Sequence, residues 1–209
     1  MPHKIYDITR TLNPHLAPWP GDTSFSAEVI TAIKAGSSIN LTTLTLSSHL
    51  GTHADAPYHF LDDDLTIEQV DLSAYLGPAT VVTVQRESGP LTPADFPGLD
   101  WSGVQRLLVH SVASTQPPHL FPTEFVYPAP QLADLLAEHH IVLFGSDAPS
   151  MDDMNSQTLP GHKALRRYNI AILEGLLLTN IPDGLYELIA LPLKIQGGDG
   201  SPVRAILRG

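Results

Sequence analysis

Residues 48–60 of the chain read Ser-His-Leu-Gly-Thr-His-Ala-Asp-Ala-Pro-Tyr-His-Phe. Three histidines and an aspartate lie close together in this stretch, and imidazole and carboxylate groups are ligands for divalent metals. A helix is disfavoured here by Gly51, by the β-branched Thr52 and by Pro57. The stretch therefore predicts a strand that enters a tight turn and carries metal ligands.

The geometry of an extended chain brings three of these side chains together. Apolar and polar residues alternate over residues 41–49, which predicts a half-buried strand with His49 at the end of its polar face. Gly51 permits a sharp reversal of the chain. His53 and Asp55 are two residues apart, so they point to the same side of an extended segment. We expect His49, His53 and Asp55 to converge on one point.

Composition restricts the class of protein. The chain has 209 residues, 43% of them hydrophobic, with no apolar run long enough to span a membrane, so we predict one soluble domain over residues 1–209. Cysteine is absent, which excludes a thiol nucleophile and leaves nitrogen and oxygen as metal ligands. The net charge of −11 disfavours nucleic acid and anionic membranes as partners. Asp7, where a secretory signal would be apolar, predicts a cytoplasmic location.

The rest of the chain alternates between strand and helix patterns. Apolar and β-branched runs predict strands over residues 4–9, 79–84, 107–110 and 141–145, and an antiparallel pair over residues 185–194 and 202–208. Pro130 at a first helical position predicts a helix over residues 131–139. A second, short helix is expected to begin at His162 and to end at Asn169. Residues 113–130 are rich in proline and predict an ordered loop, either a lid or a dimer arm.

A lone carboxylate, Glu174, interrupts the apolar run of residues 170–178. Burial of an unpaired carboxylate is costly, so such a group requires protonation, a cation or a metal. An exposed glutamate at the end of a strand is the alternative. We favour a metal ligand because His162 and the cluster at residues 49–59 offer groups of the same kind.

Asp147, Asp152 and Asp153 follow a strand that is predicted to be buried. The ends of such strands are where α/β proteins place functional sites, and aspartates at these positions also cap turns. The sequence leaves both roles open for the three carboxylates.

Trp19 stands between Pro18 and Pro20 in a stiff loop. Such a tryptophan is either a hydrophobic plug or an aromatic wall for a flat ligand. The plug is the commoner use, and the loop alone does not decide between them.

Together these segments resemble the metal-dependent cyclase and formamidase family, and within it the bacterial kynurenine formamidases. The resemblance covers nearly the whole chain. It rests on a His-x-Gly-Thr-His-x-Asp-x-Pro-x-His-Phe motif at residues 49–60, on Trp-Pro-Gly-Asp at residues 19–22, on residues 147–150, on His162 twelve residues before Glu174, and on residues 186–193 and 201–205.

The resemblance implies a fold and a metal centre. The fold is a single α/β domain with a mixed β core and packed helices, the swivelling β/β/α type of this family, assembled as a homodimer. One zinc is expected on His49, His53 and Asp55. A second is expected on Asp55, His162 and Glu174, with manganese or another divalent metal as an alternative.

The resemblance also implies a reaction. A small-molecule aryl formamide, N-formyl-L-kynurenine, would be hydrolysed to L-kynurenine and formate in tryptophan breakdown. His59 resembles the acid/base residue of the family, and an ordinary histidine pKa of about 6.5 suits proton transfer near pH 7. Trp19 resembles the aromatic residue that contacts the substrate.

Three other functions remain for comparison. A serine hydrolase would need a Gly-x-Ser-x-Gly elbow, which the sequence lacks. An isatin hydrolase or a polyketide-type cyclase of the same family would share every metal ligand and differ in the walls of its pocket. A non-catalytic metal-binding protein would need neither His59 nor Trp19, and the coordination of a structural metal is normally closed.

Overall fold

The structure is a computed structural model that describes residues 4–209. The predicted domain of residues 1–209 includes three residues outside the described part, and its boundaries stay a prediction. The strands are β1 Ile5–Asp7, β2 Ser26–Thr31, β3 Leu41–Thr45, β4 His53–Asp55, β5 Leu76–Thr83, β6 Gly89–Leu91, β7 Arg106–His110, β8 Val126–Pro128, β9 Leu143–Ser146, β10 Ala171–Glu174, β11 Gly184–Ile189, β12 Gly200–Pro202 and β13 Ile206–Arg208. The helices are α1 Pro130–Glu138 and α2 Pro160–Arg167.

A nine-stranded sheet forms the centre of the fold, in the order β1-β13-β11-β5-β7-β9-β10-β4-β12. Strands β5, β7, β9 and β10 are parallel to their neighbours within this group, and the outer strands pair antiparallel. The expected α/β class with a mixed β core is therefore confirmed. The predicted antiparallel pair near the end of the chain is also confirmed, because β11 pairs with β13.

The hydrophobic core lies on both faces of this sheet. Alternate residues of a strand contribute to opposite faces. In β7, Leu107 and Val109 pack on the side that carries α1 and α2, whereas Leu108 packs on the other side with Leu143 and Leu173. Neither helix of the described chain is long and apolar enough to cross a membrane.

The two helices begin and end as their sequence signals require. Helix α1 has Pro130 at its first position, as predicted. Helix α2 begins at Pro160, two residues earlier than predicted, because proline also suits the first turn. After α2, Asn169 adopts a left-handed conformation with φ of 56°, which ends the helix where the sequence indicated.

The prediction of a half-buried strand over residues 41–49 is wrong. Strand β3 covers only Leu41–Thr45 and pairs with β2 in a separate two-stranded sheet. All five of its residues are exposed, Leu44 at 57%. The hairpin projects from the main sheet, and no other layer of the described chain covers it. His49 lies in the turn after the hairpin and not at the end of the strand.

Candidate metal centre

Strand pairing brings His53, Asp55 and Glu174 together. His53 lies opposite Glu174 in the β4–β10 ladder, and Asp55 follows on the same side of β4. The Nε2 atom of His53 is 3.3 Å from Asp55 Oδ1 and 3.3 Å from Glu174 Oε2. All three residues are buried, so Glu174 is not the exposed glutamate that the sequence left as an alternative.

Two further histidines reach the same carboxylates from other elements. His162 comes from the first turn of α2, and its Nε2 atom is 3.4 Å from Asp55 Oδ2 and 3.3 Å from Glu174 Oε1. His49 comes from the turn before β4, and its Nδ1 atom is 3.0 Å from Asp55 Oδ1. The five residues that the sequence predicted as ligands therefore converge in one cluster around Asp55.

The unpaired atoms of this cluster fit a divalent metal. In the described chain, His53 Nε2, Asp55 Oδ2 and Glu174 Oε1 are buried without a hydrogen-bond partner. The other ring nitrogen of His53 donates to Gly51 O at 3.1 Å, so the Nε2 lone pair faces two carboxylates. Acceptors that face acceptors in a buried site require a cation between them. The nitrogen and oxygen atoms of the cluster lie 3.0 to 3.4 Å apart, and these are atom types that bind divalent metals.

His59 lies beside the cluster at the edge of a cavity. Its ring centroid is 4.0 Å from that of His49, and its side chain is 34% exposed. Burial lowers the pKa of His59. A ring nitrogen of His59 also lies within 4.8 Å of ligand atoms of His49 and Asp55, so the geometry permits a metal ligand as well as an acid/base group.

The cavity above the cluster has a volume of about 530 Å³ and an aromatic wall. His53, His162 and Glu174 are among the residues that line it. Trp19 is partly exposed in this cavity and meets Phe121 edge to face, with ring centroids 5.2 Å apart. Trp19 is therefore part of a wall and not a plug in the core. Phe121 belongs to the proline-rich segment 113–130, which borders the cavity through several of its residues.

With this geometry established, comparison with known proteins gives the family. The "Cyclase" family model matches residues 6–153, more than half of the chain. The chain belongs to the cyclase family. The expected family resemblance is thereby confirmed.

Individual proteins are similar to this chain over nearly the full length. A kynurenine formamidase of Erythrobacter litoralis is 40% identical over 205 residues, which are 98% of this chain and 94% of that protein. A solved structure described as a predicted metal-dependent hydrolase from Bacillus stearothermophilus has a TM-score of 0.82 at 27% identity, covering 100% of this chain and 99% of the other. Isatin hydrolase A from Labrenzia aggregata, bound to benzyl benzoate, has a TM-score of 0.83 at 25% identity, covering 99% and 93%.

Sequence reasoning left the role of Asp152 open in this cyclase-family chain, and the structure gives it two. Asp152 accepts hydrogen bonds from the backbone nitrogens of Gly161 and His162 at 2.7 and 3.0 Å, which caps the start of α2. Its Oδ2 atom is also 2.7 Å from His162 Nδ1. A carboxylate on the far ring nitrogen fixes the tautomer and orientation of a metal-binding histidine. Asp153, by contrast, caps a turn by accepting from Asn155 N at 2.9 Å.

Asp199 contacts the ligand cluster, and the sequence did not indicate this contact. Its Oδ2 atom is 3.0 Å from His49 Nε2, and its Oδ1 atom accepts from Ser48 Oγ at 2.8 Å. Asp199 therefore orients His49 in the way that Asp152 orients His162. Their separation of 150 residues leaves no local pattern, and the glycines around Asp199 were the only signal.

Without a metal, protons would occupy the histidines of this cluster. Burial alone would lower the pKa of His53, but the carboxylates of Asp55 and Glu174, each 3.3 Å from its Nε2 atom, outweigh burial and raise the pKa to about 10. Burial likewise opposes protonation of His49, whose contacts with Asp199 and Asp55 raise its pKa to about 9. A metal must displace these protons, so metal affinity depends on pH.

Proposed function

We propose that the protein hydrolyses N-formyl-L-kynurenine to L-kynurenine and formate, a step of tryptophan degradation. The observation that carries the proposal is the full-length likeness to a kynurenine formamidase, in a chain that keeps a ligand cluster beneath an aromatic cavity. A metal held by this cluster can activate water, and activated water hydrolyses an amide without a serine or cysteine nucleophile.

We propose further that two divalent ions, zinc or manganese, occupy the cluster. The first would be held by His49, His53 and Asp55, and the second by Asp55, His162 and Glu174. The two oxygens of Asp55 support this division, because Oδ1 faces His49 and His53 whereas Oδ2 faces His162. When bound, such ions lower the pKa of a water to near neutrality and polarise the carbonyl under attack.

His59 would move the proton that the leaving group needs. An amine anion leaves poorly, so the departing nitrogen must be protonated as its bond to the formyl carbon breaks. His59 borders the cavity beside the cluster, and burial lowers its pKa, which favours the neutral ring. A neutral imidazole can accept a proton from the attacking water and return it to the nitrogen of the leaving arylamine.

Trp19 would bind the aromatic ring of the substrate. Its position between two prolines limits the entropy lost on binding, and its edge-to-face contact with Phe121 holds the indole in place. A flat aryl formamide is the class of ligand that such a wall accepts.

Isatin hydrolysis is the second candidate. Isatin is also a flat aromatic amide, and the structural likeness to isatin hydrolase A favours this reaction specifically. The two reactions share the metal centre, so only the rates with each substrate separate them.

We also propose that the protein is a homodimer that pairs through the β2–β3 hairpin. Val29 and Leu44 lie on one face of this ribbon and are 64% and 57% exposed. A two-stranded ribbon is marginally stable alone, and exposed apolar patches mark interfaces. A monomeric mass by light scattering would contradict the proposal.

The cytoplasmic location stays a prediction.

Metal removal and replacement test the proposed chemistry. We expect chelated protein to release no kynurenine and zinc or manganese to restore the activity. Metal analysis of reloaded protein should approach two ions per chain, and Asp55→Ala should lower the occupancy of both sites together. A content that stays near one ion after reloading would contradict the two-ion centre, and activity that survives complete chelation would contradict metal dependence.

A further inference from the structure

One cation lines the cavity without a role in the proposed chemistry. Among the described residues, Arg10 is the only arginine or lysine in the cavity lining. Its Nε atom donates to Gly175 O at 3.1 Å, and its Nη2 atom donates to Ala113 O at 3.1 Å and to Asp147 O at 3.2 Å. Three backbone carbonyls from separate loops therefore fix the plane of the guanidinium.

The remaining nitrogen of Arg10, Nη1, makes no hydrogen bond to the described residues, and Arg10 lines the cavity. A guanidinium carries five N–H donors, and the three on Nε and Nη2 are used. Nη1 has no acceptor among the described residues and is not one of their fully buried unpaired atoms, so it is at least partly accessible. A fixed guanidinium edge with free donors is suited to a carboxylate.

The nearest acidic side chain does not use these donors. Asp147 lies next to Arg10, but its carboxylate accepts from Ser111 N, Ser111 Oγ and Ser114 N at 2.7 to 3.0 Å. Arg10 contacts the backbone oxygen of Asp147 and makes no hydrogen bond to its carboxylate. The hydrogen-bonding capacity of Nη1 is therefore available to a ligand.

We propose that Arg10 is the specificity residue that binds the α-carboxylate at the amino-acid end of the substrate through Nη1. This inference rests on the proposed function. The formamide and the amino-acid side chain are ortho substituents of one ring, so both leave the ring on neighbouring positions. Arg10 is held by the carbonyl of Gly175, the residue after Glu174, which places its cation beside the ligand cluster. A substrate ring packed against Trp19 would then direct the formamide and the amino-acid group towards the ligand cluster and Arg10.

The first test uses the unmodified protein, loaded with metal. N-formyl-L-kynurenine is compared with its α-carboxamide, which has nearly the same shape and no negative charge. We expect kcat/KM for the carboxamide to be lower by about 10–100-fold, mainly through KM, because a hydrogen-bonded charge pair is lost. Equal specificity constants for the acid and the carboxamide would overturn the role of Arg10.

The second test uses Arg10→Gln. We expect KM for the acid to rise by about 10–100-fold, with the specificity constant for the carboxamide within about threefold of its original value and metal content unchanged. Arg204→Gln is the control for net charge, because Arg204 is 74% exposed and pairs with Asp7 away from the cavity. An equal loss of specificity constant for both substrates would show that the role of Arg10 is only structural and would overturn the proposal.

Binding is measured separately so that the two proposals can fail independently. Calorimetry compares L-kynurenine with its carboxamide on metal-loaded protein, and we expect tighter binding of the acid. Equal binding overturns the role of Arg10, whether or not any formamide is hydrolysed. Tighter binding of the acid without hydrolysis would retain Arg10 as a carboxylate site and reject the proposed reaction.

Discussion

At the scale of single residues, the hydrogen bond at Nδ1 of His53 and of His162 decides whether Nε2 can bind a metal. His53 donates through Nδ1 to Gly51 O, and His162 is engaged through Nδ1 with Asp152. When both rings are neutral, this leaves their Nε2 lone pairs directed towards Asp55 and Glu174, where they would be available to a metal. The orientation of the ligands is therefore set before a metal arrives.

The role of His59 is tested by its removal. We expect His59→Ala to lower turnover by about 10²–10⁴-fold, the usual contribution of a general acid/base, with metal content unchanged. His15→Ala is the matched control, because His15 is an exposed histidine outside the cavity lining. Loss of metal together with activity would make His59 a ligand, as its proximity to His49 and Asp55 permits.

At the scale of elements, the metal centre depends on the close approach of two turns. Gly175 follows β10 with φ of +64°, and a Cβ atom there would lie 2.1 Å from Gly51 O. That same oxygen accepts the hydrogen bond from His53. The backbones of the turn that ends β10 and the turn that precedes β4 thus lie in close contact, and Thr52 Oγ1 also donates to Gly175 O at 2.7 Å.

We expect Gly175→Ala to destabilise the protein and to weaken metal binding. The new methyl group would displace Gly51 O and with it the orientation of His53, at a cost above about 3 kcal/mol once left-handed strain is added. Gly103→Ala is the control, because Gly103 has φ of +79° and nothing within 4 Å of its Cβ position. The control should cost about 1 kcal/mol and leave metal affinity unchanged. Equal effects in both variants, measured by denaturant unfolding and metal titration, would contradict this account.

The elements that the sequence predicted well are those with local causes. Helix α1 follows from Pro130 and an apolar stripe, and the end of α2 from the left-handed Asn169. The environment of strand β3 was predicted wrongly. Alternation of apolar and polar residues indicates that a strand has two different faces, but it does not indicate whether another layer covers either face. A hairpin that projects from the sheet has the same pattern as a strand on the core.

The same limit applies to the site. His49, His53 and Asp55 could be found because they share one short motif, and Glu174 because a carboxylate in an apolar run needs a partner. Asp199 and Arg10 could not, because their contacts join segments far apart in the chain. Long-range pairing leaves no periodic trace in a single sequence.

At the scale of the whole molecule, metal and protons compete for the cluster. The stability of the metal-free protein should therefore depend on pH. Without metal, the folded pKa values of His49 and His53, about 9 and 10, lie above an unfolded value of about 6.5. Their contribution to stability is therefore fully present below pH 6.5 and is lost as the pH rises through 9 to 10. Metal replaces these protons, so the loaded protein should keep its stability over this range.

Thermal unfolding at pH 6.5 and pH 9 measures this difference. We expect the midpoint of metal-free protein to fall between these values, and the gap between the loaded and metal-free midpoints to widen. A metal-free protein that gains stability from pH 6.5 to pH 9 would show that protons do not hold the empty cluster together.

The central claim is that this cyclase-family protein is a kynurenine formamidase. The measurement that tests it most directly is the specificity constant for N-formyl-L-kynurenine, followed by the absorbance of released kynurenine, against that for ring opening of isatin in the same metal-loaded sample. The account predicts that N-formyl-L-kynurenine has the higher specificity constant and that chelation abolishes both reactions. A higher specificity constant for isatin would contradict the claim and leave the family and the metal centre in place.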